Sequence, residues 1–185
     1  MENQQIKQKV EQKISILIDE FRATPDKFLT EEDVRAYLYH LLLADFNDLK
    51  QTEDGKQSIP IHCEVRWYGQ SRNLKYRSDI VIIDISTLRV SDENFKLPSK
   101  GYGFNKPLVI IEIKLRRKIG DSDNVFLTKI RLDCDKLTEL RSEIDGDFES
   151  YLIIFDKKNN LNLELKNTEK PKEYYAYPYI QENSI

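Results

Sequence analysis

Pro107-Leu108-Val109-Ile110-Ile111-Glu112-Ile113-Lys114-Leu115 is an aliphatic run broken only by Glu112 and Lys114. Bounded by a polar stretch on one side and by Arg116-Arg117-Lys118 on the other, it reads as a central β-strand covered on both faces. Residues two apart on a strand share a face, roughly 6–7 Å apart. A carboxylate and an ammonium therefore emerge side by side from an apolar ribbon. Such charges cost several kcal/mol to bury, on the order of a lost ion's hydration, unless they are paired or bind a metal.

Working upstream, Arg77-Ser78-Asp79-Ile80-Val81-Ile82-Ile83-Asp84 is a second apolar run, with Asp79 at its head. Before it, residues 59–68 alternate, placing Ile59, Ile61, Cys63, Val65 and Trp67 on one side and His62 and Glu64 on the other. A polar turn spans 69–76, and a polar, Gly-containing loop spans 86–106, whose Lys96, Lys100 and Lys106 fit either closure over a nucleic acid or a disordered insertion. The first helix covers 2–23 through the stripe Ile6, Val10, Ile14, Leu17, Ile18 and Phe21, and Thr24-Pro25-Asp26 stops it. A second helix starts at Thr30. Thr30 and Asp33 have capping-box spacing, Glu31 and Glu32 sit where the helix dipole favours acids, and Val34, Leu38, Leu41, Leu42 and Leu49 line its inner face.

Downstream, residues 122–145 are helical on the stripe Phe126, Ile130, Leu137, Leu140 and Ile144, with Lys129 and Asp133 spaced as an i,i+4 ion pair. Tyr151–Phe155 is a fourth strand, Leu161, Leu163 and Leu165 alternate as an edge strand, and 174–180 is a short strand or ordered extension. Its tyrosines, Tyr174, Tyr175, Tyr177 and Tyr179, are expected to pack on the sheet, with base stacking as the alternative. The order α-α-β-β-β-α-β-β has more strands than crossover helices, which predicts an α/β domain with a mixed sheet.

Composition narrows the function. The 185 residues make one domain, with 29 Lys+Arg against 32 Asp+Glu and a net charge of −3. Any binding of nucleic acid must come from local patches, of which there are two: Arg72, Lys75 and Arg77 before Asp79, and Arg116, Arg117 and Lys118 after the central strand. No apolar run approaches a membrane span, no signal-peptide pattern opens the chain, and Cys63 and Cys134 fit no zinc spacing and read as small core residues. The expected setting is the reduced cytoplasm, without a membrane.

If the two aliphatic strands are neighbours, Asp79, Glu112 and Lys114 converge. Two acids suit Mg²⁺ or Mn²⁺, and the lysine suits a role on an attacking water.

The series Glu31, Asp79, Glu112-Ile113-Lys114 resembles the PD-(D/E)XK nuclease superfamily, the restriction-endonuclease-like fold. That family's α-β-β-β-α-β core matches the order of residues 30–156, leaving 1–24 as an added N-terminal helix and 157–185 as a C-terminal edge strand and tail. Ser78 stands where the motif has proline, and the distance from Asp79 to Glu112 implies an insertion at 86–106. The resemblance implies that Asp79, Glu112 and the carbonyl of Ile113 bind Mg²⁺ or Mn²⁺. Lys114 would assist the water, and Glu31, preferred to Glu32, would complete the site. The implied activity is hydrolysis of DNA, in preference to RNA, in defence, restriction or repair. The alternative is a catalytically silent nuclease-like subunit that binds nucleic acid or a protein. A third reading is a plain interaction domain, with the N-terminal helix as the contact for a homodimer or larger assembly.

Overall fold

The aliphatic run that opens the sequence reading becomes β5 (Pro107–Arg116), the middle strand of a five-stranded sheet. In the computed structural model, residues 2–68, 74–90, 106–144, 147–159 and 171–178 are described. Their order is α1 (Glu2–Ala23), α2 (Glu31–Phe46), β1 (Lys50–Gln51), β2 (Gln57–Ser58), β3 (Ile61–Tyr68), β4 (Leu74–Ile83), β5, α3 (Asp123–Glu143), β6 (Glu149–Asp156) and β7 (Lys172–Ala176). The main sheet runs β3-β4-β5-β6-β7, and β1 and β2 form a separate small ladder between α2 and β3. β3, β4 and β5 are antiparallel neighbours, while β6 and β7 run parallel to β5. The helix α3 makes the crossover that a parallel β5–β6 pair requires. The mixed α/β sheet expected from the element order is therefore present.

Period-two alternation along β5 feeds two cores. Val109, Ile111 and Ile113 face α1 and α2 and join Val10, Ile14, Leu17, Phe21, Val34 and Leu38. Ile110 faces α3 and joins Phe126, Ile130, Leu137, Leu152 and Ile154. Because both faces are covered, β5 shows no alternating polar side, which is why its sequence reads as an aliphatic run broken only at Glu112 and Lys114. The apolar stripe of α1, offered above as a dimer contact, packs onto the chain's own sheet instead. Tyr174 and Tyr175 pack against the two cores, one on each. Among the described residues no helix is long and apolar enough to cross a membrane.

Two sequence expectations change. The alternation of β3 does not hold along its length: Ile61 packs with the α1–α2 core, whereas Val65 and Trp67 pack with the α3 core. The switch falls at Glu64, whose φ of 57° lies in the left-handed region that non-glycine residues rarely adopt. Cys63, expected in the core, is exposed just before the switch, and Cys134 is only half-buried. The final strand is β7 at 172–176, which takes the short-strand option offered for 174–180 and starts two residues earlier; the edge strand expected at 161–165 lies outside the described residues, as do Tyr179 and most of the 86–106 loop.

The start of α2 follows its sequence closely. Thr30 Oγ1 accepts from the Asp33 N–H at 3.2 Å, and Asp33 Oδ2 accepts from the Thr30 and Leu29 N–H groups at 2.9 and 2.8 Å. The complete capping box fixes where the helix begins and hence where Glu31 stands. Thr30→Ala is expected to cost about 1 kcal/mol in urea denaturation. An unchanged midpoint would show that the cap is not holding the helix start.

Candidate functional site

β4 and β5 pair from Ile83 to Ile80 and then part. Past that point β4 stays with β3 as far as Leu74, and β5 stays with β6 as far as Arg116. The sheet forks, and the charged residues singled out in the sequence sit in the fork. Asp79 is the first residue beyond the last β4–β5 pair. Its Oδ2 accepts the Ile113 N–H at 2.8 Å, so a side chain takes the place of a ladder bond between the separating strands. Ser78, in the position of the motif's proline, is fully buried, and its hydroxyl accepts the Trp67 indole N–H at 2.9 Å. A proline there would leave that indole without its partner.

Glu112 and Lys114 both point to the α3 side, where α3 meets them with charges of its own. Lys136 Nζ lies 2.5 Å from Glu112 Oε2 and also donates to the Arg77 carbonyl at 3.1 Å. Lys114 Nζ lies 3.0 Å from Asp133 Oδ2, and Asp133 Oδ1 is 3.5 Å from Lys136. From the other face of the sheet, Glu31 reaches the same place. Its Oε1 is 3.5 Å from Lys114 Nζ, and its Oε2 accepts the Leu115 N–H at 3.1 Å. Glu32 is exposed and makes neither contact. The fork thus collects Asp79, Glu112, Lys114 and Glu31 from three elements, as expected, and adds Asp133 and Lys136.

Glu112 is 1% exposed, and its Oε1 is buried without a hydrogen-bond partner among the described residues. Burial pushes its carboxyl up to about 8; the Lys136 ammonium pulls it back only in part, and the Asp79 charge adds to the rise. An acid in this state either takes a proton or needs a further cation beside its open oxygen. For Lys114, burial disfavours the ammonium, but Asp133 and Glu31 outweigh it and raise the group above its ordinary value. Lys114 is therefore a fixed cation and donor in the site.

Other charges complete the rim. Arg35 on α2 pairs with Glu64 and lies 3.4 Å from Asp79 Oδ1, and Arg77 Nε donates to Glu64 Oε2 at 2.6 Å. The left-handed backbone at Glu64 brings its carboxylate to this rim, whereas His62 on the same strand is half-buried with its Nε2 unpartnered. As they stand, no three His, Cys, Asp or Glu side chains among the described residues are grouped to hold a metal ion. The fit to a divalent cation rests on the open, buried Oε1 of Glu112 beside Asp79, with the Ile113 backbone between them.

The basic residues expected to contact phosphates divide. Arg117 and Lys118 are exposed beyond the end of β5, and Arg77 lies at the rim. Arg72 and the side chain of Lys75 lie outside the described residues. Arg116 must be reassigned. It is 1% exposed, bonded to Asp156 through Nε at 2.7 Å and Nη2 at 2.5 Å and to Asp123 at 2.5 Å, with its guanidinium over the Phe126 ring. It is a buried clamp between β5, β6 and α3, unavailable to phosphate. The Lys129–Asp133 pair is also replaced: Lys129 bonds Asp121 at 2.7 Å, while Asp133 serves the fork.

Of Asp133 and Lys136, the first has a signal in the sequence. The stripe Phe126, Ile130, Leu137, Leu140 has a gap at 133, and an acid filling a core position of a helix needs a cation. Comparison with family models, with curated proteins and with solved structures finds no match.

Proposed function

We propose that this chain is a metal-dependent nuclease with a restriction-endonuclease-like core, hydrolysing DNA phosphodiester bonds in the fork between β4 and β5. The observation that carries the reading is the meeting of Asp79 and Glu112 where the sheet splits, with one Glu112 oxygen buried and open. The order α2-β3-β4-β5-α3-β6, with three antiparallel strands followed by a parallel one, supports it. Asp79, Glu112 and the Ile113 carbonyl would hold Mg²⁺ or Mn²⁺. A divalent cation there supplies polarisation of the phosphate and a more acidic bound water.

The protein's own groups do the rest. Lys114, held as an ammonium by Asp133 and Glu31, presents a donor to the phosphate oxygens and offsets charge that builds up on them. Glu31 fixes that ammonium and, by binding the Leu115 N–H, fixes the end of β5 as well. Lys136 keeps Glu112 in one orientation through Oε2, leaving Oε1 directed to the cation position. Arg77, Arg117 and Lys118 suit the flanking phosphates.

One observation favours the silent-subunit reading: Arg35 and Lys136 already neutralise the two carboxylates internally. Incubation with plasmid and linear DNA in Mg²⁺ or Mn²⁺ separates the two. Cleavage is expected, abolished by EDTA and reduced on the order of 10²-fold in Lys114→Ala. Salt-sensitive DNA binding without cleavage would favour the silent subunit, and full cleavage by Lys114→Ala would remove the lysine from the site.

A further inference from the structure

A groove of about 320 Å³ opens beside the fork, lined by Leu29 and Glu31 on the α2 side and by Leu115, Arg117 and Gly120 on the other. Glu31 belongs to both the groove and the site. The far lip belongs to the loop joining β5 to α3, which also carries Ile119, outside the groove lining and 95% exposed. Across the groove, Leu29 is 65% exposed. A fully exposed isoleucine gains nothing from the fold, and here it is not carried on a loose loop.

The loop is fastened at every side. Arg116, itself buried against Asp156, bonds Asp123 and so ties the two ends of the loop together. Lys158, from the end of β6, donates to the Asp121 carbonyl at 2.9 Å and to the Gly120 carbonyl at 3.4 Å. Lys129 holds the Asp121 side chain at 2.7 Å. The bend is tight as well: a Cβ on Gly120 would stand 3.2 Å from the Arg117 carbonyl oxygen. A rigid support that holds one apolar side chain out in water, with the exposed cations Arg117 and Lys118 immediately before it, is organised in advance for a partner that is anionic outside and apolar inside.

We propose that this loop is a wedge that inserts Ile119 between base pairs of duplex DNA, with Arg117 and Lys118 on the adjoining phosphates, and so opens the substrate next to the β4–β5 fork. The proposal rests on the nuclease reading and adds its substrate: a duplex that is kinked on binding. Apolar side chains used in this way unstack a base step, and flanking cations hold the bent backbone. Of the acids lining the groove, Glu31 is paired with Lys114 and Asp121 with Lys129, while Arg117 on its lip remains exposed for a phosphate.

The test is a short duplex carrying 2-aminopurine, bound in Ca²⁺ so that cleavage does not interfere. Wild-type protein is expected to raise the fluorescence as the base unstacks. Ile119→Ser should remove the rise and weaken binding about tenfold, and Ile119→Phe should restore both. With Mg²⁺, Ile119→Ser should lose more activity on a fully matched duplex than on one already opened by a mismatch. Binding without a fluorescence rise, binding restricted to single strands, or wild-type behaviour of Ile119→Ser overturns the wedge while leaving the nuclease reading in place. Self-association that depends on Ile119, with DNA binding unaffected, assigns the loop to protein contacts and also overturns it. A wild-type protein that neither binds nor cleaves DNA removes the nuclease reading and the wedge with it.

Discussion

Glu112→Gln is expected to abolish cleavage and, at the same time, to make the metal-free protein more stable. Both effects come from one buried oxygen. The carboxyl is held up near 8 because burial penalises its charge more than Lys136 rewards it. The group therefore binds a proton in the folded chain at pH values where the unfolded chain has released it. Its folded value lies above its unfolded one, so its contribution is most favourable below about 4.5 and is lost as pH rises toward 8. Glutamine keeps the shape and an acceptor for Lys136 but never ionises. The variant should match the wild type near pH 5 and exceed it at pH 9 by about 1–3 kcal/mol, seen as a higher Tm by several degrees. Cleavage should fall on the order of 10²–10³-fold, since the cation loses a charged ligand. Retained activity would displace Glu112 from the site. A variant less stable than wild type at pH 9 would show that the Glu112–Lys136 pair is a net support of the fold.

Arg116→Ala is expected to be the most damaging single change to stability. Asp156 is 0% exposed, and Arg116 supplies both of its charged hydrogen bonds. Removing the arginine leaves the buried Asp156 carboxylate without its cation, with the Lys158 N–H still bonded at 2.9 Å, and also frees Asp123 from β5 at the start of α3. Breaking a buried pair from one side costs about 3–5 kcal/mol, which in a chain of this size lowers Tm by roughly 10 °C. The double variant Arg116→Met with Asp156→Leu should recover much of the loss, because the stranded charge is gone. A single variant with near wild-type stability would mean that the clamp contributes little. Had Arg116 been a phosphate contact, its removal would instead have weakened DNA binding and left Tm alone.

The contrast between Arg116 and its neighbours shows what could be read in the sequence. β5 was legible because burial on both faces leaves a continuous aliphatic run, and a charge within such a run, as at Glu112, has to be explained by chemistry or pairing. The start of α2 was legible because a capping box is local: Thr30, Asp33 and the backbone between them settle it. Arg116 was not, since the basic run Lys114–Lys118 looks uniform in sequence. Only the fold brings Asp156 and Asp123 to one member of it while Arg117 and Lys118 stay in water. The face switch in β3 was hidden for a similar reason. A positive φ at a glutamate leaves no mark in a hydrophobic pattern, so the transfer of Val65 and Trp67 to the α3 core is invisible in the alternation. Lys136 and Arg35 escaped because each is an ordinary helix-surface cation until a distant strand supplies its carboxylate.

Diffraction from crystals soaked in Mn²⁺, recorded at the manganese edge, tests the central claim most directly. The account predicts an anomalous peak in the β4–β5 fork, about 2 Å from a carboxylate oxygen of Asp79 and from Glu112 Oε1, and no peak there in Glu112→Gln crystals. Manganese bound only at other acidic residues, or a fork in which Arg35 and Lys136 keep both carboxylates and no ion enters, would contradict it.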